Sequence, residues 1–356
     1  MTSIPELFAQ PRAALLEAAA ARGMELPPHL EHGELVGALA AHLADAGEAV
    51  VADGELSMMH EGFGFVRLAA ADYAETASDA YVSQKQIRAL NLQHGHRVRG
   101  RVRAPRGAER SLSLQHVDTV QGVAVEKIGD VAPFSSRRAV VATRPLLLGD
   151  GDTFAPLAIQ APWRLGHRVL VHAGPEFARA AWLRDLALAV AAANPELAVT
   201  LCLLDQRPED LAAARAAGAD ADLTVVGTRF ADEPKRHCEV AELALQAALR
   251  RVERGDDLVL VVDSLSALAR AHARSQPPSG AWIQPGLDAR AVLGPKRLFA
   301  SARQLDGGGS LTVLATVQEG PTDLDHAIAR EFAPGSNSDV WPGDPARSRT
   351  RPEDQS

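Results

Sequence analysis

The stretch GELSMMHEGFGFVRL, residues 54–68, holds two short runs in which apolar and polar residues alternate, separated by His60–Gly62. Similar runs follow in DAYVS (79–83), HRVRGRV (96–102) and RSLSLQHV (110–117), with Gly, Asp and Asn between them. Short alternating strands with turn residues at close spacing predict a small antiparallel barrel of the OB or cold-shock type over residues 51–120. Within it, Phe63 and Phe65 share one face at period two, and the glycines beside them leave their rings uncovered. Flat, uncovered rings are stacking platforms for unpaired bases, each stacked base contributing about 1–3 kcal/mol. Arg97, Arg99, Arg101 and Arg103 also share a face, and a row of guanidinium groups suits the backbone of a single strand. The alternative is a core role for the two phenylalanines and a merely solvated arginine face; the presence of Tyr81 in the same barrel favours nucleic-acid binding.

Toward the N-terminus, ELFAQPRAALLEAAA (6–20) and GELVGALAAHLADAG (33–47) carry apolar residues at helical spacing, broken by Pro27 and Pro28, and predict a small helical module over residues 1–50. Toward the C-terminus, residues 121–150 have no strong period and read as a connector. Residues 151–340 then alternate apolar strands (RVLVHAG, VTLCLLD, DLTVVGT, DLVLVVD, SLTVLAT) with helices, the longest from about Arg236 to Glu253. Buried strands separated by helices predict an α/β domain whose parallel sheet is covered on both faces. The polar, proline-rich residues 341–356 read as a disordered tail.

Composition narrows the function. At 46% hydrophobic and 23% charged residues, most of the chain is expected to fold. The first residues lack the basic start and apolar run of a signal or transit peptide, no segment approaches the ~20 apolar residues of a membrane span, and Cys202 and Cys238 are not spaced as metal ligands. A cytoplasmic protein with no membrane partner and no metal site is the expectation. A net charge of −8 argues against a protein that coats nucleic acid over its whole surface. The span Lys85–Arg110 is locally basic, so contact with nucleic acid would be confined to one face.

The barrel segments 54–67, 79–95 and 104–110, with the helical module before them, resemble the primary RNA-binding domain of the bacterial transcription termination factor Rho family. That resemblance reaches to about residue 336. It implies that Phe63, Phe65, Arg67, Asp79, Tyr81, Glu109 and Arg110 grip pyrimidine-rich single-stranded RNA, with Arg99 and Arg101 added from the arginine face. Ser111 departs from the family pattern, which has an aromatic residue there.

The segments LLDQRPEDL (203–211), FADEPKRHCEVAE (230–242), LVLVVDSLSALARA (258–271) and GPKRLFASARQLDGGGSLTVLAT (294–316) resemble the RecA-like, P-loop NTPase-type motor domain of the same family. A phosphate-binding loop needs glycines, a lysine, and a Ser or Thr hydroxyl for Mg2+. The matching segment AGPEFARAAW (173–182) has Glu176, Phe177 and Ala178 in the loop, Arg179 for the lysine and Ala180 for the hydroxyl residue. Gln206 stands where the family has a glutamate that activates water, and an amide cannot accept that proton. Asp263 matches the carboxylate that supports Mg2+, although an aspartate ending a strand can also cap the next helix. The family's RNA-contacting lysines are replaced, by Ala281 and Trp282 in one loop and by Ala333 in another. The chain ends before the region of the arginine finger, a role not assigned to Arg347, Arg349 or Arg351.

These losses predict an RNA-binding protein of Rho-dependent termination whose ATPase domain is inactive, needing no cofactor. Its expected partners are single-stranded RNA, Rho or its own copies in a ring, and the RNA polymerase complex. Two alternatives stay open: an RNA-dependent ATPase that uses Mg-ATP, with Arg179 in place of lysine, and an adaptor that binds no RNA.

Overall fold

The computed structural model describes residues 1–27, 29–149, 154–175, 177–221 and 223–351. The chain divides into two compact units, Met1–Asp130 and Val131–Ser356.

In the first unit, helices α1 (Ile4–Phe8), α2 (Arg12–Ala20) and α3 (His32–Asp45) precede strands β1 (Val50–Met58), β2 (Gly64–Arg67) and β3 (Ala80–Val82). Helix α4 (Gln84–Ala89) and strands β4 (Arg97–Arg103) and β5 (Leu112–Val120) complete it. The strands pair in the order β1-β2-β3-β5-β4, and β4 returns to β1, so the sheet closes on itself. A closed barrel leaves no free edge along this path. Alternation decides what goes inside: Leu56, Val66, Val82, Val98, Val102 and Leu112 are buried. The residues between them face outward.

The helices do not form a separate module. Ile4, Leu7, Leu15, Leu35 and Leu39 belong to the same buried cluster as Leu56, Val66 and Val98. Ser3 and Ser83 cap α1 and α4 with their side chains, each in a reciprocal bond with the residue three positions on. The expected connector also resolves differently: Val123–Ala124 pairs with β5, whereas Ala139–Val140 pairs with Arg303–Leu305 in the second unit.

The second unit contains β6 (Arg168–Ala173), α5 (Arg179–Ala193), β7 (Ala198–Gln206), α6 (Pro208–Gly218), β8 (Leu223–Arg229) and α7 (Pro234–Val252). Then come β9 (Asp257–Asp263), α8 (Leu265–Ser275), α9 (Leu293–Ala300), β10 (Ser310–Gln318), α10 (Asp323–Phe332) and β11 (Ser338–Val340). The sheet order is β8-β7-β9-β10-β6-β11, all parallel. β9 carries the apolar run LVLVV and β10 is buried along almost its whole length, as expected where helices cover both faces. The carboxyl ends of β7, β9, β10 and β6 meet at one edge, where open α/β sheets bind ligands.

The expectation of a disordered tail from residue 341 is corrected as far as Arg351. Arg349–Thr350, strand β12, pairs antiparallel with β11, and the backbone N–H of Arg351 donates to the Asn337 carbonyl at 2.8 Å. Composition suggested disorder, but the arginines there have a buried acceptor, Asp339. Residues 352–356 lie outside the described residues.

Gly100 in β4 sits at a register shift against β5, and a methyl group there would lie 2.0 Å from the His116 carbonyl oxygen. Gly100→Ala is expected to destabilise the first unit by about 1–3 kcal/mol, read as a drop of several degrees in its thermal midpoint. An unchanged midpoint would show that the strand can shift to admit the methyl group.

Candidate nucleic-acid interface and nucleotide site

Phe63, Phe65 and Tyr81 come together on the outer wall of the barrel. Ring centroids are 5.9 Å apart for Phe63–Phe65, 5.5 Å for Phe63–Tyr81 and 5.9 Å for Phe65–Tyr81, all tilted or edge-on. Gly64 and Val66 take the inward positions between and beside the phenylalanines, so all three rings are half-buried outer-wall residues and the core reading of Phe63 and Phe65 fails. Register extends the cluster: Ser57 lies opposite Phe65, Phe65 opposite Tyr81, Tyr81 opposite Ser113, and Ser113 opposite Arg103. One row across five strands therefore runs from a hydroxyl through two rings to a guanidinium. Arg103 belongs to this row, which strand spacing alone could not show, since Tyr81 and Arg103 are brought together only through β5.

The other basic residues divide. Arg97 bonds Asp53 through Nε at 2.8 Å and Arg99 approaches the same carboxylate at 3.4 Å, so these two are partly neutralised. Arg101 and Arg110 are exposed and make no ion pair among the described residues. Arg103 holds Glu109 by two bonds, at 2.5 and 2.8 Å. That bonding, with the Arg106 backbone N–H, pulls the Glu109 carboxyl down to about 2. Ser111 is half-buried.

Arg67 and Asp79, which the resemblance places among the RNA-gripping positions, are buried in this structure. They are 5% and 6% exposed and face each other at 3.7 Å. The Arg67 guanidinium also donates to the Tyr73 carbonyl at 3.2 Å and to Glu75 at 2.8 Å. In this arrangement they brace the β2–β3 wall under the rings. Burial pushes the Asp79 carboxyl up to about 6, against the opposing pull of the Thr76 hydroxyl and Arg67.

A carboxyl whose folded value is raised keeps its proton while the unfolded chain has already lost it. Asp79 therefore makes stability fall as pH rises from about 4 to about 6. Removing the nearby positive charge in Arg67→Gln is expected to raise the Asp79 value further, observable by carbon-detected NMR titration of its carboxyl. A decrease would mean that Arg67 does not act on it.

In the second unit, Asp263 ends β9 with no exposed surface, and its oxygens are taken by neighbours on three other elements. Oδ1 accepts from Arg179 Nε at 3.0 Å and from the Thr316 hydroxyl at 2.7 Å, and Oδ2 accepts from Gln206 Nε2 at 3.1 Å. Gln206 is 6% exposed and also donates to the Leu204 carbonyl at 2.7 Å. A register irregularity between Leu203 and Gln206, with Asp205 in the left-handed region at φ 59, turns the Gln206 amide toward Asp263. Arg179 stands at the start of α5, whose cap residue Ala178 offers no side-chain hydrogen bond, and Ala180 has no hydroxyl. Phe177 packs edge-on against Trp182 at 5.8 Å. Phe177, Ala178, Arg179, Ala180 and Gln206, with Asp205 and Arg207, line a cavity of about 240 Å³. Glu176, named above in this loop, lies outside the described residues.

Thr316 was not legible as a site residue, because only the β9–β10 pairing brings it to Asp263. Among the described residues no group of three or more His, Cys, Asp and Glu side chains is placed to hold a metal, and no helix is long and apolar enough to cross a membrane. Trp282 lies 56% exposed in a short hairpin of Trp282–Gln284 with Leu287–Asp288. Arg347 stacks over Trp341, and Arg349 and Arg351 reach Asp339, so all three arginines of the C-terminal segment are engaged within the fold.

An RNA-binding barrel of the OB type followed by a parallel-sheet P-loop ATPase-like unit defines the class. Residues 52–126 match the family described as "Rho termination factor, RNA-binding domain". The chain is 32% identical over 345 residues to a transcription termination factor Rho of Pseudomonas fluorescens biotype C, covering 95% of this chain and 82% of that protein. It is 34% identical over 313 residues to the Rho of Bacillus subtilis strain 168, covering 86% of this chain and 72% of that protein. Among solved structures, a prototypical ATPase from the type III secretion system of pathogenic bacteria superposes with a TM-score of 0.51 at 17% identity, over 60% of this chain and 64% of that one. That last likeness concerns the fold alone. The chain belongs to the Rho transcription termination factor family and carries that family's RNA-binding domain.

Leaving the buried Asp263 without its cation costs about 3–5 kcal/mol, so Arg179→Ala is expected to lower the thermal midpoint of the second unit clearly. Gln206→Glu, which sets a second carboxylate against Asp263, should do the same. A midpoint unmoved by both changes would show that the cluster is not holding the strand ends together.

Proposed function

We propose that this Rho-family chain binds pyrimidine-rich single-stranded RNA through its barrel and acts in or on Rho-dependent termination without hydrolysing ATP. The bases stack on Phe63, Phe65 and Tyr81, while Arg101, Arg110 and the Arg103–Glu109 pair meet the backbone and base edges. Arg67 and Asp79 support this wall from behind. The chain works in the cytoplasm, on RNA at the RNA polymerase complex, alone or within rings of Rho or of its own copies.

The observation that carries this reading is the guanidinium held on Asp263. Arg179 and the Thr316 hydroxyl donate to Oδ1 and the Gln206 amide donates to Oδ2. The fixed guanidinium takes the place of the metal's charge, Ala180 supplies no ligand, and the Gln206 amide donates where a base would have to accept. This donor set does not fit Mg-ATP, so no hydrolytic step is assigned.

Two measurements on one preparation test the proposal. Oligocytidine RNA is expected to bind, with Phe63→Ala combined with Phe65→Ala removing most of the affinity, since each stacked base contributes about 1–3 kcal/mol. Phosphate release from Mg-ATP is expected to stay at background with and without that RNA. RNA-stimulated release that disappears in Asp263→Asn would refute the inactive motor, and RNA retention unchanged by the double substitution would refute the barrel's role.

A further inference from the structure

A second and larger cavity, about 480 Å³, opens at the carboxyl ends of β10, β6 and β11, and it shares no lining residue with the loop cavity beside Asp263. Helix α10 presents His326 and Arg330 to it, four residues apart and so on one helix face, with Asp323 one turn earlier. Arg347 enters from the C-terminal segment. Asp323, His326 and Arg330 are exposed, and their side chains make no hydrogen bond or ion pair among the described residues.

The floor is built and rigid. Trp341 is 8% exposed, with its ring stacked on His172 at 4.2 Å and 7°, and the Arg347 guanidinium lies 4.3 Å above the indole. Trp341 Nε1 donates to Glu319 at 2.9 Å. The same carboxylate lies 3.2 Å from His172 Nδ1 and 3.8 Å from Arg347. His172 Nε2 is 3.2 Å from the buried Asp339. Glu319 is thus consumed by its own neighbours, which leaves Arg330 and His326 as free donors and Asp323 as a free acceptor.

The geometry points to a binding site for a nucleoside phosphate in this cavity, separate from the altered phosphate loop. Guanidinium groups arriving from two elements, with an imidazole one turn before Arg330, suit an oxyanion of several oxygens better than a single carboxylate. The volume lies within the ~300–1,000 Å³ of small-molecule sites, far more than a bare anion needs. Asp323 then accepts from a ribose hydroxyl or an exocyclic amine, which an inorganic anion lacks. The site needs no magnesium, and it lies where parallel sheets present ligands. The phosphate is carried by a free nucleotide or by the phosphodiester of an RNA strand, and the chemistry of recognition is the same.

The test uses the full chain, with AMP as one probe and a short oligocytidine RNA as the other, both titrated calorimetrically without Mg2+. The RNA arm is run in the Phe63→Ala/Phe65→Ala background so that the barrel is silent. Arg330 contacts no partner, so Arg330→Ala should fold normally, checked by its thermal midpoint, and His326→Gln provides a second change on the same face. AMP binding weakened about tenfold or more by Arg330→Ala supports a free nucleotide as ligand. Residual RNA binding lost on the same substitution, with no AMP binding, supports the phosphodiester form. AMP binding indifferent to Arg330→Ala and His326→Gln would overturn the site and implicate the Asp263 cavity instead, which would also count against an inactive motor. Absence of both kinds of binding would overturn the site alone.

Discussion

A carboxylate with no exposed surface at the end of a central parallel strand has to be met by donors, because an unpaired buried charge is more costly than any single contact nearby can offset. In this chain Asp263 is met from three directions: by the first turn of α5, by the end of β7 and by β10. The arrangement ties the first turn of α5 and the ends of β7 and β10 to the end of β9. Arg179 is the key member, since a guanidinium is always charged and its planar donors stay fixed on the carboxylate.

The barrel follows a different logic. Its core takes the inward half of every strand, and one outward row carries Ser57, Phe65, Tyr81, Ser113 and Arg103, with Phe63 packed beside the two rings. Charge on this surface is divided into held and free groups. Asp53 restrains Arg97 and Arg99, Glu109 restrains Arg103, and Arg101 and Arg110 stay open to solvent. Beneath the rings, the buried Arg67–Asp79 pair stiffens the wall while burial keeps Asp79 readily protonated. For the RNA binding proposed above, such a wall would be a preformed stacking surface, with fewer side chains to order when a strand arrives.

Much of this could be read from residue pattern. Period-two alternation in residues 54–68 and 96–103 announced the barrel, and apolar runs between helices announced the parallel sheet. The substitutions in 173–182 and at Gln206 announced an altered loop. What could not be read were contacts across distant segments. Arg67 and Asp79 looked like surface grips, and only the fold shows them facing each other in the wall. Thr316 looked like an ordinary strand residue until β10 paired with β9. The polar segment after Trp341 looked disordered because composition cannot reveal that Asp339 waits for Arg349 and Arg351.

By itself, the sequence determined the kind of elements, their order, the residue types on each face and the missing hydroxyl at Ala180, because these depend on local periodicity and side-chain chemistry. Only the tertiary structure decided which charges are spent and which are free. Whether Arg179 is available to a phosphate, or Arg103 to a strand of RNA, depends on what lies three to four ångströms away. In a folded chain that neighbour is supplied by register and helix packing between residues far apart in sequence.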